Sequence, residues 1–380
     1  MSRFFWKMIM DLPPECVCPD QTFRHRQIPL GGGCTQRVKF AHSYDDIISI
    51  ENLLAAWKEF VRGKRKKPDV QELQSRLMDN ILALHRELAA GTYRHGGYHA
   101  FKISDPKPRD IHKASVRDRL LHHVLYRKLY PFFDRTFISD SYSCRARKGT
   151  HRAMNRFRSF AYKVSKNHTR TCWVLKCDIR KFFASIDHQI LFDILATYIP
   201  DERIAALIVE VVGSFRSYSP ITPAYAAAKA SVIRGLPLGN LTSQLLVNVY
   251  MNEFDQFVKH ALKAAYYIRY ADDFVILSAA RPCLAALLPR IDDFLKVRLH
   301  LDLHPDKVSI QTCTSGVDFL GWVHFSDHLV LRTTTKRRML RRVEFVEKDD
   351  PKVQSYIGIL SHGNAWWLKQ QINVDRQPDP

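Results

Sequence analysis

The sequence predicts an α+β protein in which short strands and helices share a compact unit. Two observations lead to this prediction. Runs of β-favouring residues recur between residues 171 and 325, namely CWVLKC, YYIRY, FVIL and FLGWVHF, and segments with helical spacing of apolar residues precede and separate them. A chain of 380 residues that is 46% hydrophobic can also bury a sizeable core. Global disorder and a peptide-sized module are therefore excluded.

The sequence of the first part of the chain predicts an irregular extension followed by helices. Residues 1–43 contain clustered prolines and a triple glycine and predict an extension with little core of its own. From Tyr44 to His85 the apolar residues recur at helical spacing. Phe101 to His112 predicts extended chain or a hairpin, and a helix from about Val116 to Tyr130 is expected to end at Pro131.

The second part predicts a buried strand, an apolar helix and a basic helix. Trp173 to Cys177 has the composition of a buried strand, and Asp178 stands at its end. A glycine-punctuated segment precedes a helix with apolar residues at Leu246, Tyr250, Phe254 and Phe257. Arginines and a lysine crowd the helix pattern from Arg332 to Arg342, which suits contact with a phosphate backbone.

The charge of the chain predicts a polyanionic partner and no membrane. Lys and Arg number 58 against 38 Asp and Glu, which gives a formal net charge of +20. No apolar run reaches the roughly 18 residues that a bilayer requires, since Glu210 interrupts the best candidate. The first residues include Lys7 and Asp11 and lack a small-residue cleavage site, so a secretory signal is not expected. A cytoplasmic location follows as an expectation.

The eight cysteines predict reduced thiols rather than a disulfide framework. They are scattered through a large chain without a secretory signal. A zinc site formed by Cys16, Cys18, His25 and Cys34 remains an alternative, although the paired spacing of common zinc sites is missing.

Carboxylates at two strand ends suggest metal-ion chemistry. Asp178 ends one predicted strand, and Asp272 and Asp273 lie between two β-type runs in YYIRYADDFVIL. Adjacent residues on extended chain point to opposite faces, so we expect Asp272 rather than Asp273 to face Asp178. Two such carboxylates in a basic protein suit a pair of Mg²⁺ ions that promote in-line attack on a phosphate. The alternative is an acidic turn without a ligand.

The order of several motifs resembles the palm of reverse transcriptases. KCDIRKFF, GLPLGNLTSQLLVN, YADDFVIL, HPDKVSI and FLGW follow one another as in that family, and PKPRDIHKASVRDRLLHH and DSYSCRARKGTHRA are similar to its fingers motifs. The resemblance extends from about Tyr44 to Trp367. Within the family, GLPLGNLTSQ and SYSCRARKGTHRA most resemble the enzymes of diversity-generating retroelements, although some defence-associated bacterial enzymes share the motif. Most group II intron and retron relatives have QG and SP where this chain has Leu238-Gly239 and Ser243-Gln244.

The resemblance implies a right-hand polymerase fold with fingers, a palm of antiparallel sheet backed by helices, and a short helical thumb. The divisions we predict are an extension at 1–43, fingers and the start of the palm at 44–170, the palm at 171–328, the thumb at 329–372 and a frayed tail at 373–380.

The same resemblance assigns roles to individual residues. Asp178, Asp272 and Asp273 are implied as catalytic metal ligands for Mg²⁺, with Mn²⁺ as the alternative ion. Lys307 is implied as the group that protonates the departing pyrophosphate, and otherwise is a solvated surface lysine. Arg109 and Arg145 match the positions that clamp the triphosphate, although structural ion pairs are the alternative.

Nucleotide selection is implied at four further positions. Phe183 matches the aromatic gate that excludes a ribose 2′-hydroxyl, while the neighbouring Phe182 is expected in the core. Leu238, Gly239 and Gln244 match the segment that contacts the template or the incoming nucleotide. Ordinary core packing and a plain glycine turn are the alternatives for these residues.

The predicted function is RNA-directed DNA synthesis, error-prone at template adenines. The implied partners are a template RNA, a DNA or RNA primer, dNTPs and, in a retroelement of this type, a small basic accessory protein. Two alternatives remain open. One is an antiviral-defence reverse transcriptase with the same chemistry, and the other is a non-catalytic, maturase-like RNA-binding scaffold.

Overall fold

A computed structural model describes residues 38–104, 108–215, 233–343 and 350–373. Most of the predicted extension, including Cys16, Cys18, His25 and Cys34, lies outside the described residues, as does the tail from residue 374. Within the described residues, the predicted α+β class with antiparallel sheets and helices is confirmed. The division into fingers, palm and thumb stays a prediction.

The helices are α1 (Tyr44–Ile48), α2 (Ile50–Phe60), α3 (Pro68–Ser75), α4 (Leu77–Ala89), α5 (Val116–Phe133), α6 (Thr150–Val164), α7 (Phe182–Ser185), α8 (His188–Ala196), α9 (Glu202–Gly213), α10 (Leu241–Gln256), α11 (Arg281–Leu299), α12 (Thr333–Val343), α13 (Pro351–Leu360) and α14 (Trp366–Asn373). The strands are β1 (Tyr98–Ile103), β2 (Arg109–Ala114), β3 (Trp173–Asp178), β4 (Tyr267–Tyr270), β5 (Asp273–Ser278), β6 (Ser309–Thr312), β7 (Val317–Phe319), β8 (Trp322–His324) and β9 (Leu329–Leu331).

The chain forms two compact units, each assembled from separated stretches of sequence. The first comprises residues 1–138, 180–261 and 293–302. In it, α5 packs against α2 and α10, and α10 also packs against α8. Its only described sheet is the antiparallel hairpin of β1 and β2, in which Tyr98 pairs with Ala114 and Ile103 with Arg109. The predicted hairpin is thereby confirmed.

The second unit comprises residues 139–179, 262–292 and 303–380. Its main sheet has the strand order β4-β5-β3-β6, and all neighbouring strands are antiparallel. Helix α6 packs against β4 and β5. Fully buried Val174 and Val275 from the sheet share a core with Phe157 from α6. This packing confirms the buried strand predicted at Trp173 to Cys177.

A smaller sheet in the same unit packs with the basic helix. Its order is β7-β8-β9, again antiparallel. Trp322 and Leu331 from this sheet form a core with Met339, the buried residue of α12, and with Leu360 of α13. Gly363 lies against the Trp322 ring so closely that a Cβ there would stand 2.8 Å from Cη2 and 3.0 Å from the Leu329 carbonyl oxygen.

Helix α5 continues through Pro131, so the prediction that this proline ends the helix is wrong. The helix reaches Phe133, whose side chain is fully buried. Because Pro131 lies in the last turn, its missing N–H removes only one intrahelical hydrogen bond. The N–H of Asp134 donates to the Tyr130 carbonyl at 2.9 Å and closes the final turn. Burial of Phe133 outweighs the cost of one lost backbone bond.

Five cysteines lie within the described residues and none of them forms a disulfide. They are Cys144, Cys172, Cys177, Cys283 and Cys313. No described helix combines the length and the apolar character needed to cross a bilayer.

Replacement of Gly363 by Ala should lower the free energy of unfolding by about 1–3 kcal/mol, because the added methyl would overpack the buried Trp322 ring. Gly358 in α13 is the matched control, since no atom lies within 4 Å of the Cβ it would gain. Gly358→Ala should raise the free energy of unfolding by up to about 1 kcal/mol. Equilibrium denaturation measures both changes, and changes of the same sign in the two variants would contradict the close packing at Gly363.

Candidate functional site

Two carboxylates face each other across the main sheet of the second unit. Asp178 is the last residue of β3, and the strand register pairs it directly with Asp273, the first residue of β5. Directly opposed residues of an antiparallel pair project their side chains to the same face of the sheet. Asp178 is only 9% exposed. The fold therefore holds two carboxylates together at one end of a buried strand pair.

Asp272 lies in the turn between β4 and β5, next to this pair. Our inference that Asp272 rather than Asp273 faces Asp178 assumed extended chain, and the register gives that position to Asp273 instead. Strand alternation does not apply to Asp272, because the turn begins at Ala271, whose φ is +56°. The Ile179 N–H donates to the Asp272 carbonyl at 3.2 Å, which ties the turn to the end of β3.

Lys307 is the cation that contacts this group. Its Nζ donates to Asp178 Oδ1 at 2.8 Å. The backbone holds the lysine there, because the His304 N–H donates to the Asp178 carbonyl at 2.8 Å and a short 3₁₀ helix, Pro305–Lys307, follows. The sequence predicted both residues as catalytic but did not predict their contact.

The carboxyl group of Asp273 is electrostatically strained. Burial is the largest cause that raises its pKa to about 6, and the negative charges of Asp178 and Asp272 raise it further. Lys176 and Lys307 act in the opposite direction. Its Oδ1 is buried and has no hydrogen-bond partner. A buried carboxylate oxygen without a hydrogen-bond partner would be stabilised by a bound cation.

These oxygen donors fit a hard divalent cation. Mg²⁺ prefers carboxylate oxygens and commonly uses one or two protein carboxylates, with water and substrate phosphates as its other ligands. Within the described part of the chain, no group of three or more His, Cys, Asp or Glu side chains is already arranged to hold a metal.

Phe183 and Leu238 belong to two backbone segments that are joined in the first unit. Phe183 is half-buried in α7, and its carbonyl accepts the Leu236 N–H at 2.8 Å. Phe182 is 3% exposed, as expected for a core residue. The carbonyl of Leu238 accepts the His112 N–H of β2 at 3.1 Å.

A side chain at position 239 would be strained by the backbone conformation and by a close neighbour, so glycine is favoured there. Its φ is +109°, and a Cβ there would lie 3.1 Å from Ile111 Cγ2. The segment ends at Asn240, and α10 then begins with the half-buried Gln244 in its first turns. A glycine turn before a helix, predicted from the sequence, is therefore present.

The two predicted triphosphate-binding arginines lie in different units. Arg109 is exposed at the start of β2 in the first unit. Arg145 is half-buried in the second unit, and its Nη1 donates to the Ser141 carbonyl at 3.0 Å. The second unit thus contains Asp178, Asp272, Asp273, Lys307 and Arg145, and the first contains Arg109, Phe183, Leu238, Gly239 and Gln244.

Three further residues outside the predicted site set are unusual in their burial or exposure. Asn240 is 2% exposed, and both polar atoms of its amide lack a hydrogen-bond partner. Trp366 and Trp367 are 60% and 77% exposed on α14, and exposed aromatic rings are stacking platforms for unpaired bases. The sequence pattern could flag Asn240 through its neighbours in GLPLGN, but nothing in it distinguishes an exposed tryptophan from a buried one.

Comparison with known proteins gives a consistent family assignment. A family described as "Reverse transcriptase (RNA-dependent DNA polymerase)" matches residues 103–324. The chain is 25% identical over 319 residues to Protein YkfC of Escherichia coli K12, covering 73% of this chain and 78% of that protein.

More distant relatives are intron-encoded proteins. The Putative COX1/OXI3 intron 2 protein of Saccharomyces cerevisiae is 20% identical, covering 60% of this chain and 30% of that protein. The Group II intron-encoded protein LtrA of Lactococcus lactis subsp. cremoris is 23% identical, covering 41% of this chain and 24% of that protein. The aligned region thus spans less than a third of both intron-encoded relatives.

Telomerases are among the solved structures that align. Apo telomerase from Candida tropicalis aligns with a TM-score of 0.44 and 11% identity, covering 67% of this chain and 60% of the telomerase chain. At that level the alignment carries no argument about this protein.

Replacement of Asp273 by Asn should stabilise the metal-free protein in a pH-dependent way. Because the pKa of Asp273 is raised from 3.8 to about 6 on folding, the folded state holds this proton to higher pH than the unfolded chain does. Wild-type stability therefore falls as pH rises from about 4 to 6. Asn cannot ionise, so the gain should be small at pH 4 and reach about 1–3 kcal/mol at pH 7.5.

Denaturation at both pH values in EDTA measures this gain. The matched control is Asp293→Asn on α11, which replaces an exposed carboxylate outside the cluster by the same amide. A gain at pH 7.5 no larger than that at pH 4 would contradict the strained state of Asp273.

Proposed function

Because this chain belongs to the reverse transcriptase family, we propose that it is an RNA-directed DNA polymerase that copies an RNA template by adding dNTPs to a DNA or RNA primer. The single observation that best supports the proposal is the Asp178 and Asp273 pair, which the β3–β5 register opposes within the segment matched by the family. A strongly basic chain with a net charge of +20 also suits a nucleic-acid substrate.

The carboxylate cluster is the proposed chemical centre. Asp178 and Asp273, which the strand register opposes, would hold Mg²⁺ or Mn²⁺ with Asp272 beside them, since Asp273 carries the unpartnered oxygen. When bound, such an ion neutralises phosphate charge and favours deprotonation of the attacking hydroxyl. The protein's own task is to hold these carboxylates together at the end of the sheet.

Lys307 is the proposed proton donor to the departing pyrophosphate. In this structure its ammonium group neutralises Asp178. Displacement from that carboxylate would free the ammonium group to approach the phosphate oxygens, where a positioned lysine can transfer a proton. Arg109 and Arg145 would clamp the triphosphate, since the guanidinium fork matches phosphate oxygens.

The proposed template-tracking surface is the basic helix α12. Its sequence, TTTKRRMLRRV, contains five cations, and Met339 is its buried residue. Arg337 and Arg341 are exposed. A helix that packs through Met339 and Leu340 and presents cations elsewhere is suited to contacts with a nucleic-acid backbone rather than to sequence reading.

The biological setting we propose is a diversity-generating retroelement, with a small basic accessory protein as a partner. The departure at Leu238, where the commoner motif has glutamine, supports it, because an apolar group discriminates bases less well than a polar one. An antiviral-defence enzyme with the same chemistry is the second candidate. A maturase-like scaffold is disfavoured by the presence of Asp178, Asp272 and Asp273.

Replacement of Asp178 or Asp273 by Asn should lower Mg²⁺-dependent dNTP incorporation by more than about 100-fold, because each variant removes a charged ligand at the reacting phosphate. RNA affinity should stay near the wild-type value. Asp327→Asn, at an exposed turn of the same unit, is the control and should extend primers normally. Primer extension and a gel shift measure the two properties, and normal extension by either site variant would refute the proposed metal ligands.

Replacement of Phe183 by Ala should raise the ratio of ribonucleotide to deoxyribonucleotide incorporation by about 10- to 100-fold, because the obstruction at the sugar 2′ position is steric. Phe183→Tyr keeps the bulk and should retain the wild-type ratio. Single-nucleotide incorporation assays with rNTPs and dNTPs measure this ratio, and an unchanged value in the Ala variant would make Phe183 a packing residue.

The accuracy with which the enzyme copies RNA distinguishes the proposed retroelement enzyme from the antiviral-defence enzyme. The wild type should misincorporate most often opposite template adenines, and Leu238→Gln should restore a polar contact worth about 1–3 kcal/mol, which lowers the error rate by roughly 5- to 150-fold. Sequencing of products copied from one defined RNA measures errors opposite each base. A uniformly low wild-type error rate would favour the defence enzyme.

A further inference from the structure

A basic cavity lies on the side of α6 that faces away from its apolar core. Its volume is about 340 Å³, and its lining is Tyr142, Lys148, Arg152, Asn155, Arg156 and Ser159. The last four follow the spacing of one helix face. The other side of α6 packs into the core through Ala153, Phe157 and Phe160. None of the lining residues belongs to the carboxylate site.

Positive charge in this cavity exceeds negative charge. Arg156 is paired with Asp140, with Nε at 2.8 Å from Oδ1 and Nη2 at 3.4 Å from Oδ2. Asp140, which is 4% exposed, is the carboxylate that Arg156 contacts. Lys148 and the exposed Arg152 are also cationic. The six lining residues thus include three cations and no acid, so the lining favours an anion.

The wall of the cavity is fixed by hydrogen bonds before any ligand arrives. The Arg269 N–H of β4 donates to the Asp140 carbonyl, and the Tyr142 N–H donates to the Arg269 carbonyl, both at 3.0 Å. Lys148 Nζ donates to the Ser139 carbonyl at 2.6 Å and lies 5.1 Å from the centre of the Tyr142 ring. Donors held in place in this way lose little conformational entropy when they bind an anion.

The polar groups that remain are donors suited to phosphate. Burial, and next the charge of Asp140, raise the pKa of Tyr142 to about 12, so this phenol adds no negative charge. The exposed amide of Asn155 and the half-buried hydroxyl of Ser159 stand on the same helix face as Arg152. A guanidinium with neighbouring amide and hydroxyl donors matches the oxygens of a phosphate group.

We propose that this cavity binds a backbone phosphate of single-stranded RNA, separately from the carboxylate site. Its volume is near the lower end of the range for small-ligand pockets, which suits one phosphate with part of its sugar rather than a whole nucleotide. The inference rests on the proposed function only in taking RNA as the source of the phosphate. A free nucleotide is the other source of the same chemistry.

The test compares two arginines of one helix. Arg152 lines the cavity, whereas Arg158 is equally exposed on α6 and does not line it. Binding of a labelled 20-nucleotide oligouridine is measured by fluorescence anisotropy between 50 and 200 mM KCl. Arg152→Ala should weaken binding about fivefold at 100 mM and flatten the log-log salt slope by about 0.7, the value for one single-strand phosphate. Arg158→Ala should keep the wild-type slope. Equal effects of the two variants would overturn the proposal.

Competition identifies the source of the phosphate. The quantity compared is the difference in oligouridine affinity between the wild type and Arg152→Ala. If the source is RNA, 1 mM ATP should leave this difference unchanged, and unlabelled oligouridine should abolish it. Loss of the difference in ATP would assign the site to free nucleotides. Thermal melting should show that the Arg152→Ala chain is folded, since this side chain is exposed and the described contacts include no partner for it.

The binding assay is independent of polymerase activity. It contains no dNTP, so a chain that extends no primer still reports on the cavity. The Arg152→Ala change is also made in the Asp178→Asn background. There it should flatten the salt slope by the same amount as it does in the wild-type chain. Failure of primer extension with an intact slope difference would overturn the proposed function alone, and the reverse result would overturn the phosphate site alone.

Discussion

The antiparallel register between β3 and β5 is the constraint on which the candidate site depends. Pairing runs from Trp173 opposite Ser278 to Asp178 opposite Asp273. A slip of one residue would turn every side chain of a strand to the other face of the sheet. The buried pair Val174 and Leu277 blocks such a slip, because their core contacts with α6 exist in one register only. Apolar packing in the middle of the strands thus fixes the carboxylates at their ends.

The same arrangement opposes stability at the point where chemistry is proposed. A buried carboxylate oxygen without a partner stands beside two other acids, and the adjoining turn begins at a non-glycine residue with positive φ. Strain and unpaired charge of this kind persist only where surrounding structure enforces them. Here Arg269 contributes, since its fully buried guanidinium donates to the Ala271 carbonyl at 3.1 Å. The conformation of the hairpin turn is therefore stabilised by this buried hydrogen bond rather than by the backbone preference of its own residues.

Local patterns predicted most of the fold, and long-range contacts account for what they missed. Strands at Trp173 and Tyr267 followed from β-favouring composition, and the helix after Asn240 followed from the helical spacing of its apolar residues. The end of α5 was wrong because the burial of Phe133 is a tertiary effect. The Asp178 and Lys307 contact joins residues 129 positions apart, which no local pattern encodes. Strand alternation misassigned the partner of Asp178, because a turn residue does not obey the rule for strands.

The discontinuous order of the second unit affects how it can form during synthesis. Strand β3 leaves the ribosome with neither neighbour present, since β5 begins at Asp273 and β6 at Ser309. At roughly 5–20 residues per second, about 5 to 20 s pass before β5 exists, and longer before β6 does. During that interval an apolar strand has both edges unpaired, which is a template for aggregation. Translation speed between these strands therefore sets how long β3 stays unpaired, and a chaperone that covered it would limit aggregation.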